Sequence, residues 1–495
     1  MTRRISKRFL LTSALSALAG TALARPPERS LRPVMRSGSV AGTAAPRVAS
    51  AEALIRSAEL GGDVSYAVAD AKTGLILESG GDRLGLPPAS TTKAVTALYA
   101  LDTLGAGHRF HTELVAGGQI SGGVLKGDLI LKGGGDPTLD TDRLAKLAAE
   151  LKAAGVREVR GRFIVDGSAL PFIRQIDRAQ PDHVSYNPAI SGLNLNFNRV
   201  HFEWKRQGGK WRVAMDARSR KYRTEVSFAR MQIAARETPV YTYSERGGKD
   251  RWTVASAALG NGGARWLPVR QPEIYAGEVF RTFARAQGIV LDAPRKGRGG
   301  GRVIVRQQSA DLRTICHDFL KYSNNMMAEA IGLAASAARA GKPRSLKASG
   351  AEMSRFAARK LGMNDSAFVD HSGLGDDSRA TARDMALAMV RARAAIAPLL
   401  KPFPMRDERR RVIKGHPITV HAKTGTLNFV SALSGFATGE DGTDMAFAII
   451  AANMDVRSKI TRANRERPRG GRSWNRRAKA LQQKLIERWG ALYAS

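Results

Sequence analysis

The sequence contains a single cysteine, Cys316, among 495 residues. An internal disulfide is therefore excluded, and the fold does not depend on one for its stability. Cys316 lies in the apolar stripe of a predicted helix, which favours an ordinary core residue over a reactive thiol. No group of His, Cys, Asp and Glu residues has the spacing of metal ligands, so we expect neither a metal nor a cofactor.

Long apolar runs are also missing, since the run at 9–19 is too short to cross a bilayer. It follows a basic stretch that includes Arg3-Arg4 and precedes Ala22-Leu23-Ala24, the small-residue site that a signal peptidase requires. Residues 1–24 are therefore predicted to be a signal peptide of the Sec or the twin-arginine route, which predicts an exported, periplasmic protein. Residues 25–48, rich in Pro, Arg, Gly and Ser, are predicted to be a flexible linker.

Acidic residues are few, with 44 Asp and Glu against 79 Lys and Arg, which gives a net charge of +35. This charge would suit nucleic acid, but the basic residues are scattered and lack a zinc-ligand or aromatic-basic signature. No nucleic acid is therefore expected. The densest stretches, 409–414 and 457–479, are typical of solvated surface or anion-facing loops. In an exported protein, the expected polyanions are the membrane surface and the cell wall.

The mature chain divides into three stretches by composition and periodicity. Residues 49–117 and 303–495 combine helices with strands, and residues 118–302 are rich in glycine and strand patterns. Helix and strand segments thus bracket a long insertion. The further expected elements are a helix at Ala51 to Leu60, strands around Val64 to Val68 and Leu75 to Leu77, a helix that Ser309 caps, strands at about 428–438 and 444–452, and a last helix at about 475–493.

The first motif with chemical meaning is Ser90-Thr91-Thr92-Lys93, at a predicted helix start after Pro87-Pro88. Residues three apart on a helix face the same way, about 5–6 Å apart at their Cβ atoms. Lys93 can therefore take the proton of Ser90 if desolvation or a nearby positive charge keeps its amine neutral. The motif is weak by itself.

The second motif is Ser323-Asn324-Asn325, in a predicted break between two helices. Ser323 can relay a proton to a leaving amine, and Asn325 can hold a substrate amide through its donor and its acceptor. The same spelling occurs at 185–187 and 473–475, and a role of Ser323 as an N-cap remains an alternative.

The third motif is Lys423-Thr424-Gly425-Thr426, which leads into an apolar strand. Lys423, Thr424 and Thr426 offer a cation and two hydroxyl groups to a substrate carboxylate, and Gly425 permits a close backbone approach. The Thr426 N–H can complete an oxyanion hole. A second copy, Ala71-Lys72-Thr73-Gly74, lies in a polar hairpin turn and is discarded.

The order of the three motifs is that of serine β-lactamases and penicillin-binding proteins. The long separation of Ser90 from Ser323 resembles the class C low-molecular-mass penicillin-binding proteins, a D-alanyl-D-alanine carboxypeptidase/endopeptidase family. The stretches 127–139, 193–198 and 370–374 are also similar to that family. The resemblance covers about 50–455. Two departures are Asn324, where Asp is common, and His371, where glycine is usual.

The resemblance implies an α+β peptidase domain with a five-stranded antiparallel sheet, interrupted at 118–302 by two nested, β-rich accessory domains. It implies Ser90 as nucleophile, Lys93 as its base, Ser323 and Asn325 as the second motif, and Lys423 and Thr424 as ligands of the substrate carboxylate. The Ser90 and Thr426 amides would form the oxyanion hole. The expected substrates are peptidoglycan stem peptides that end in D-Ala-D-Ala, and β-lactams are the expected covalent inhibitors.

Other functions remain open at this stage. A serine β-lactamase would use the same motifs, but no motif supplies a dedicated deacylating base. An esterase or D-amino-acid amidase on the same fold and a non-catalytic wall-binding scaffold are further alternatives. His371 has no evident acid partner, which argues against a catalytic histidine. His421 is expected to be an ordinary strand residue.

Overall fold

The structure is a computed structural model that describes residues 48–494. The predicted signal peptide, and all of the predicted linker except Val48, lie outside the described residues. Among the described helices, none combines the length and the apolar character that a membrane crossing requires.

The two ends of the described chain share one antiparallel sheet of five strands in the order β18-β19-β20-β1-β2. β20 is buried along its whole length because helices cover both faces of the sheet, as its apolar sequence after Asp444 indicates. The predicted α+β class and five-stranded sheet are confirmed. The strands are β1 (Asp63–Asp70), β2 (Ile76–Gly80), β18 (Thr419–Leu427), β19 (Val430–Thr438) and β20 (Asp444–Ala452).

Helices cover this sheet in two layers. One apolar core joins one sheet face to α2 and α5–α8, and the other joins the opposite face to α1 and α11, where Trp474 and Trp489 are buried. A π-helical turn follows α7 at Ala357–Leu361. The helices are α1 (Ala51–Ser57), α2 (Thr92–Leu104), α3 (Thr141–Ala153), α4 (Pro272–Ala286), α5 (Leu312–Tyr322), α6 (Asn325–Ala340), α7 (Leu346–Phe356), α8 (Ala382–Arg391), α9 (Arg393–Ile396), α10 (Met454–Ser458) and α11 (Gly471–Tyr493).

The middle of the chain forms four further sheets with its own apolar core, onto which α3 and α4 pack. Their orders are β16-β8-β6-β3-β17, β11-β10-β9-β15, β12-β14-β13 and β4-β5-β7. The strands are β3 (His111–Ala116), β4 (Gln119–Ser121), β5 (Val124–Lys126), β6 (Leu129–Gly133), β7 (Glu158–Val159), β8 (Phe163–Asp166), β9 (Arg199–Gln207), β10 (Lys210–Arg218), β11 (Arg223–Glu225), β12 (Ala229–Ala234), β13 (Tyr241–Arg246), β14 (Lys249–Ala255), β15 (Gly262–Pro268), β16 (Pro294–Lys296) and β17 (Arg302–Gln308).

The predicted bounds of the insertion, 118–302, do not match the sheet pairing at either end. β3 and β17 pair with each other, and β3 also pairs with β6, so both strands belong to the sheet of the inserted segment. Composition did not assign these two strands to the insertion, because strands on either side of its bounds have the same alternation of apolar and polar residues. The division into two nested accessory domains stays a prediction.

Several element boundaries differ from those expected from the sequence. The helix after β17 is capped by Asp311, whose Oδ1 accepts from Thr314 N at 2.8 Å, and not by Ser309. Ser309 Oγ instead accepts from Phe110 N at 3.0 Å. The first helix ends at Ser57, and the last begins at Gly471, four residues earlier than its apolar pattern predicted.

Candidate active site

Ser90 lies in a short 3₁₀ turn, Ala89–Thr91, that leads directly into α2. The preceding Ala89 has a φ of +47°, a left-handed conformation that costs about 1 kcal/mol or more in a residue with a side chain. Gly373 packs against this turn, and a Cβ there would lie 1.8 Å from Ala89 O. Tight packing thus holds the turn that presents Ser90.

Lys93 is fully buried one turn after Ser90, on the same face, as its spacing predicted. Its Nζ donates to Ser90 Oγ at 2.9 Å, to Asn325 Oδ1 at 2.8 Å and to the carbonyl of Ser372 at 2.6 Å. Burial lowers the pKa of Lys93 to about 7, although the charges of Glu329 and Asp370 act in the opposite direction. A large neutral fraction of this amine is therefore present near neutral pH.

Ser323 ends α5 in a left-handed conformation, with a φ of +55°, and its Oγ accepts from Lys423 Nζ at 2.9 Å. The helix-break context predicted from the sequence is present. The N-cap of α6 is Asn324, whose side chain accepts from Met327 N, so Ser323 is not the cap. Asn325 Nδ2 donates to the carbonyl of Tyr186 at 2.9 Å, while Oδ1 faces Lys93.

Strand β18 carries the third motif at the edge of the main sheet. Lys423 is buried, and this burial is the main reason that its pKa is lowered. The charges of Lys93 and Lys401 lower it further. Thr424 is half-buried and Thr426 is exposed. A Cβ at Gly425 would lie 2.9 Å from Pro88 O and 3.0 Å from Ser90 N, so glycine is what permits this backbone contact.

The three motifs meet around one cleft of about 280 Å³. Ser90, Ser323, Asn325 and Thr426 line it. Lys93 donates to Ser90 and Asn325, and Lys423 donates to Ser323, through the hydrogen bonds described above. The other lining residues are Gln180, Tyr186, Gly373, Leu374, Leu427, Asn428, Arg457, Arg465, Glu466 and Asn475.

Two buried carboxylates beside Lys93 were not anticipated as part of the site. Glu329 accepts from the backbone N–H groups of His371 at 3.0 Å and Ser372 at 2.9 Å, and Asp370 accepts from Gly373 N at 2.6 Å. They fix the loop whose Ser372 carbonyl accepts from Lys93. Burial and the neighbouring Asp370 raise the pKa of Glu329 to about 8. The position of Glu329, four residues after Asn325 on α6, was the signal available in the sequence.

Arg457 corrects the prediction that the basic stretch 457–479 is solvated surface or anion-facing loop. Its side chain is only 2% exposed, because Nε donates to Asp376 Oδ2 at 2.7 Å and Nη1 to the Asn428 carbonyl at 2.8 Å. The Asp376 carboxylate offsets the cost of burying this charge. Arg457 therefore forms part of the cleft wall.

The remaining sequence candidates have structural roles. His371 is fully buried, its Nε2 lies 2.7 Å from Ser349 Oγ, and burial lowers its pKa to about 3, so it stays neutral. His421 lies half-buried on β18, as expected of a strand residue. The discarded Lys72 lies in a turn in which Asp70 Oδ1 accepts from Lys72 N at 3.1 Å and from Thr73 N at 2.6 Å.

One group of potential metal ligands escaped the sequence analysis. Strand pairing places Asp216 of β10 opposite His201 of β9, next to Glu203, with their ligand atoms within 4.8 Å of one another. Ligand spacing along the chain does not detect a group formed across two strands. Both carboxylates already accept from the guanidinium groups of Arg218 and Arg223, which compete with any cation.

Residues 48–468 match the family model described as the D-Ala-D-Ala carboxypeptidase 3 (S13) family. The chain belongs to this family. The predicted family and the predicted class of enzyme, a serine-type D-Ala-D-Ala carboxypeptidase, are thereby confirmed.

Named relatives agree with the S13 assignment, and solved structures share the fold. The D-alanyl-D-alanine carboxypeptidase of Actinomadura sp. (strain R39) is 29% identical over 442 residues, which cover 81% of this chain and 79% of the relative. The D-alanyl-D-alanine carboxypeptidase DacB of Haemophilus influenzae is 25% identical over 403 residues, 76% and 83% of the two chains. The crystal structure of penicillin-binding protein 4 from the same organism matches with a TM-score of 0.70 at 19% identity, over 88% of this chain and 99% of that one. A second structure of that protein, complexed with a β-lactam, matches with a TM-score of 0.66 at 20% identity, over 88% and 99% of the two chains.

Proposed function

We propose that this S13 family member hydrolyses peptidoglycan stem peptides that end in D-Ala-D-Ala, and the cross-links between them, through an acyl-enzyme on Ser90. The observation that carries the proposal is the buried Lys93 amine at 2.9 Å from Ser90 Oγ, with a pKa of about 7. A serine hydroxyl needs an adjacent base to become a nucleophile at neutral pH, and Lys93 supplies that base.

In the proposed acylation step, neutral Lys93 accepts the proton of Ser90 while Oγ attacks the carbonyl carbon of the scissile amide. The backbone N–H groups of Ser90 and Thr426 bind the oxyanion that forms. The C–N bond then breaks, and the proton that Lys93 took from Ser90 passes through Ser323 to the leaving amine, so that Lys93 is neutral again. In deacylation, Lys93 takes a proton from the water that attacks the ester and gives it to Ser90 Oγ as the acid product leaves, which restores both residues. No step requires a metal or a cofactor.

Substrate binding is assigned to Lys423, Thr424 and Thr426, with Asn325 holding the substrate amide. In the empty cleft, burial lowers the pKa of Lys423. An incoming carboxylate favours the charged ammonium form and stabilises the substrate in return. Gly425 is assigned to the close contact between β18 and the Ser90 turn, because a Cβ there would lie 3.0 Å from Ser90 N.

The test is to incubate the protein with benzylpenicillin and to search for a covalent adduct by intact-mass and peptide mass spectrometry, beside Ser90→Ala. We expect a stable penicilloyl adduct on the peptide that carries Ser90, and none in the variant. Rapid loss of penicillin without an adduct would indicate a β-lactamase. Neither an adduct nor loss of penicillin would favour an esterase, an amidase or a scaffold and would contradict the proposal.

Export to the periplasm is part of the same proposal, and it rests on the basic, apolar and small-residue pattern of residues 1–24. Peripheral contact with polyanions of the wall or of the membrane surface is proposed as well. Support comes from the exposed basic residues Arg409, Arg410, Arg411 and Lys414. Partial burial, and then the charge of Arg410, lower the pKa of Lys479, as expected where like charges repel each other.

A further inference from the structure

A second cavity, of about 630 Å³, adjoins the active-site cleft at the turn between α5 and α6. Tyr186, Ser323 and Asn325 line both cavities, so the two are continuous around the second motif. We call the larger cavity the second groove. Its other lining residues are Thr138, Ser185, Pro188, Phe197, Arg199, Asp318, Tyr322, Asn324, Met326 and Met327.

Aromatic and aliphatic side chains give the second groove an apolar wall. Tyr322 is 70% exposed, and Lys321 Nζ lies over its ring at 5.2 Å from the ring centre. Phe197 lies in a left-handed segment in which Asn196, Phe197 and Asn198 have φ angles of 50°, 57° and 50°. Such a segment costs free energy and persists only because buried hydrogen bonds hold it, among them Asn198 Nδ2 to the Ala189 carbonyl at 2.8 Å. This strained segment holds Phe197 at the groove.

Arg199 adds a positive charge to this wall. Its guanidinium group lies over the rings of Phe197, at 5.2 Å, and of Trp266, at 5.4 Å. These contacts hold the side chain in one orientation. Among residues 48–494, its buried Nε has no hydrogen-bond partner. An arginine whose guanidinium charge lies beside an apolar wall fits a ligand that joins an aliphatic chain to a carboxylate.

We propose that the second groove binds the leaving strand of a cross-linked peptide. The inference rests on the proposed function, in which the leaving amine departs at Ser323, the residue from which the groove opens. When a linear stem peptide is cleaved, only a single D-Ala leaves. When a cross-link is cleaved, the amine belongs to the aliphatic side chain of a diamino acid, which continues into a second peptide. The apolar wall suits that aliphatic chain, and Arg199 suits a carboxylate of the second peptide.

The groove therefore contributes to catalysis on cross-linked substrates alone. Binding energy from a part of the substrate remote from the scissile bond favours the substrate that carries that part. We expect Arg199→Gln and Tyr322→Ala to lower kcat/KM for a cross-linked muropeptide dimer by about 10-fold, mainly through KM. The kcat/KM for a linear pentapeptide ending in D-Ala-D-Ala should change by less than about 2-fold.

The experiment compares wild-type protein and variants on both substrates by chromatography of the products. Arg206→Gln is the matched control, because Arg206 is an exposed arginine of the same strand that also stacks on a tryptophan, Trp211, at 5.5 Å, but lies outside the groove. Tyr322→Ala is a second test of the groove in case Arg199→Gln does not fold. Removal of an exposed ring has little effect on stability.

The proposal would be supported if both groove variants, but not Arg206→Gln, lost kcat/KM on the dimer and kept it on the linear peptide. An unchanged rate on the dimer, or an equal loss on both substrates, would overturn it. Wild-type protein that cleaves the linear peptide and not the dimer would overturn this inference and leave the Ser90 peptidase standing. Wild-type protein that cleaves neither substrate would instead reject the proposed function itself.

Discussion

At the scale of single residues, the proposed chemistry depends on the balance of charges around one buried amine. Burial lowers the pKa of Lys93 to about 7, and the negative charges of Glu329 and Asp370 raise it. Burial and Asp370 in turn raise the pKa of Glu329 to about 8. Groups that interact this strongly titrate together, so a measured pKa belongs to the cluster. Without the carboxylates Lys93 would be still less basic, and with more exposure it would remain protonated.

The rate of acylation by a penicillin is expected to rise with pH through about 7, because only the neutral form of Lys93 accepts the Ser90 proton. Below this pKa the amine is protonated and the rate falls. The second-order rate constant is measured by quenched mass spectrometry from about pH 5.5 to about pH 8.5. Lys93→Gln should lower the rate constant at the plateau by about 10³-fold or more.

The control for this profile is Lys72→Gln, in the exposed turn that repeats the Ala-Lys-Thr-Gly spelling of the third motif. It should leave both the rate constant and its pH dependence unchanged. A rate that stays constant over the whole pH range in the wild-type protein would show that Lys93 is not the base.

The sequence predicted the four residues of the three motifs that line the cleft, and their contacts follow from local spacing and from motif order. Lys93 lies three residues after Ser90, so one helical turn joins them. Glu329 and Asp370 escaped prediction, although Glu329 lies one helical turn after Asn325, because that spacing does not distinguish a buried acid from a solvated one. The pairing of Arg457 with Asp376 escaped for a related reason, since it joins α10 to a loop 81 residues earlier in the chain.

At the scale of elements, the cleft depends on how closely β18 approaches the turn before α2. A Cβ on Gly425 would lie 2.9 Å from Pro88 O, 3.0 Å from Ser90 N and 3.1 Å from Ala89 Cβ. Contacts of this kind with backbone atoms are relieved only if the strand or the turn moves. The strained Ala89, with its φ of +47°, lies in the same contact and limits how far the turn can move.

Gly425→Ala is therefore expected to separate β18 from the Ser90 turn. The rate of penicillin acylation should fall by about 10²-fold, because misplacement of reacting groups by about 1 Å has effects of this size. The free energy of unfolding should fall by about 1–3 kcal/mol, as in other overpacked sites. The measurements are the acylation rate constant and urea unfolding.

Gly107→Ala is the matched control, because no atom lies within 4 Å of a Cβ built at that exposed glycine. It should leave the acylation rate unchanged. Wild-type acylation in Gly425→Ala would show that the close approach of β18 is not needed for the reaction.

At the scale of the whole molecule, the sequence carries a net charge of +35, and the basic residues of the described part differ widely in exposure. Arg457 is buried against Asp376, whereas the turn at 407–411 exposes arginines next to Val412, which is 50% exposed. The proximity of Arg410 and Lys479 costs free energy unless an anion neutralises them. The sequence predicted that the basic stretches are solvated surface or anion-facing loops, but only the fold separates the arginines that face solvent from those that form the cleft.

Binding to isolated cell-wall sacculi or to anionic lipid vesicles is therefore expected to weaken as salt is raised, because counterions screen exposed charges beyond about 10 Å at about 0.1 M salt. Replacing Arg409, Arg410 and Arg411 by Gln should weaken this binding about 10-fold at low salt. The control variant replaces three exposed basic residues of the inserted segment by Gln, which removes the same charge: Lys205, Arg206 and Arg212. Co-sedimentation with each material measures the affinity and identifies which of the two polyanions is bound. An equal loss in both triples would assign the binding to net charge alone, and salt-independent binding would contradict an electrostatic surface. Because these residues lie outside the cleft, the rate of penicillin acylation in solution should be the same in both triples.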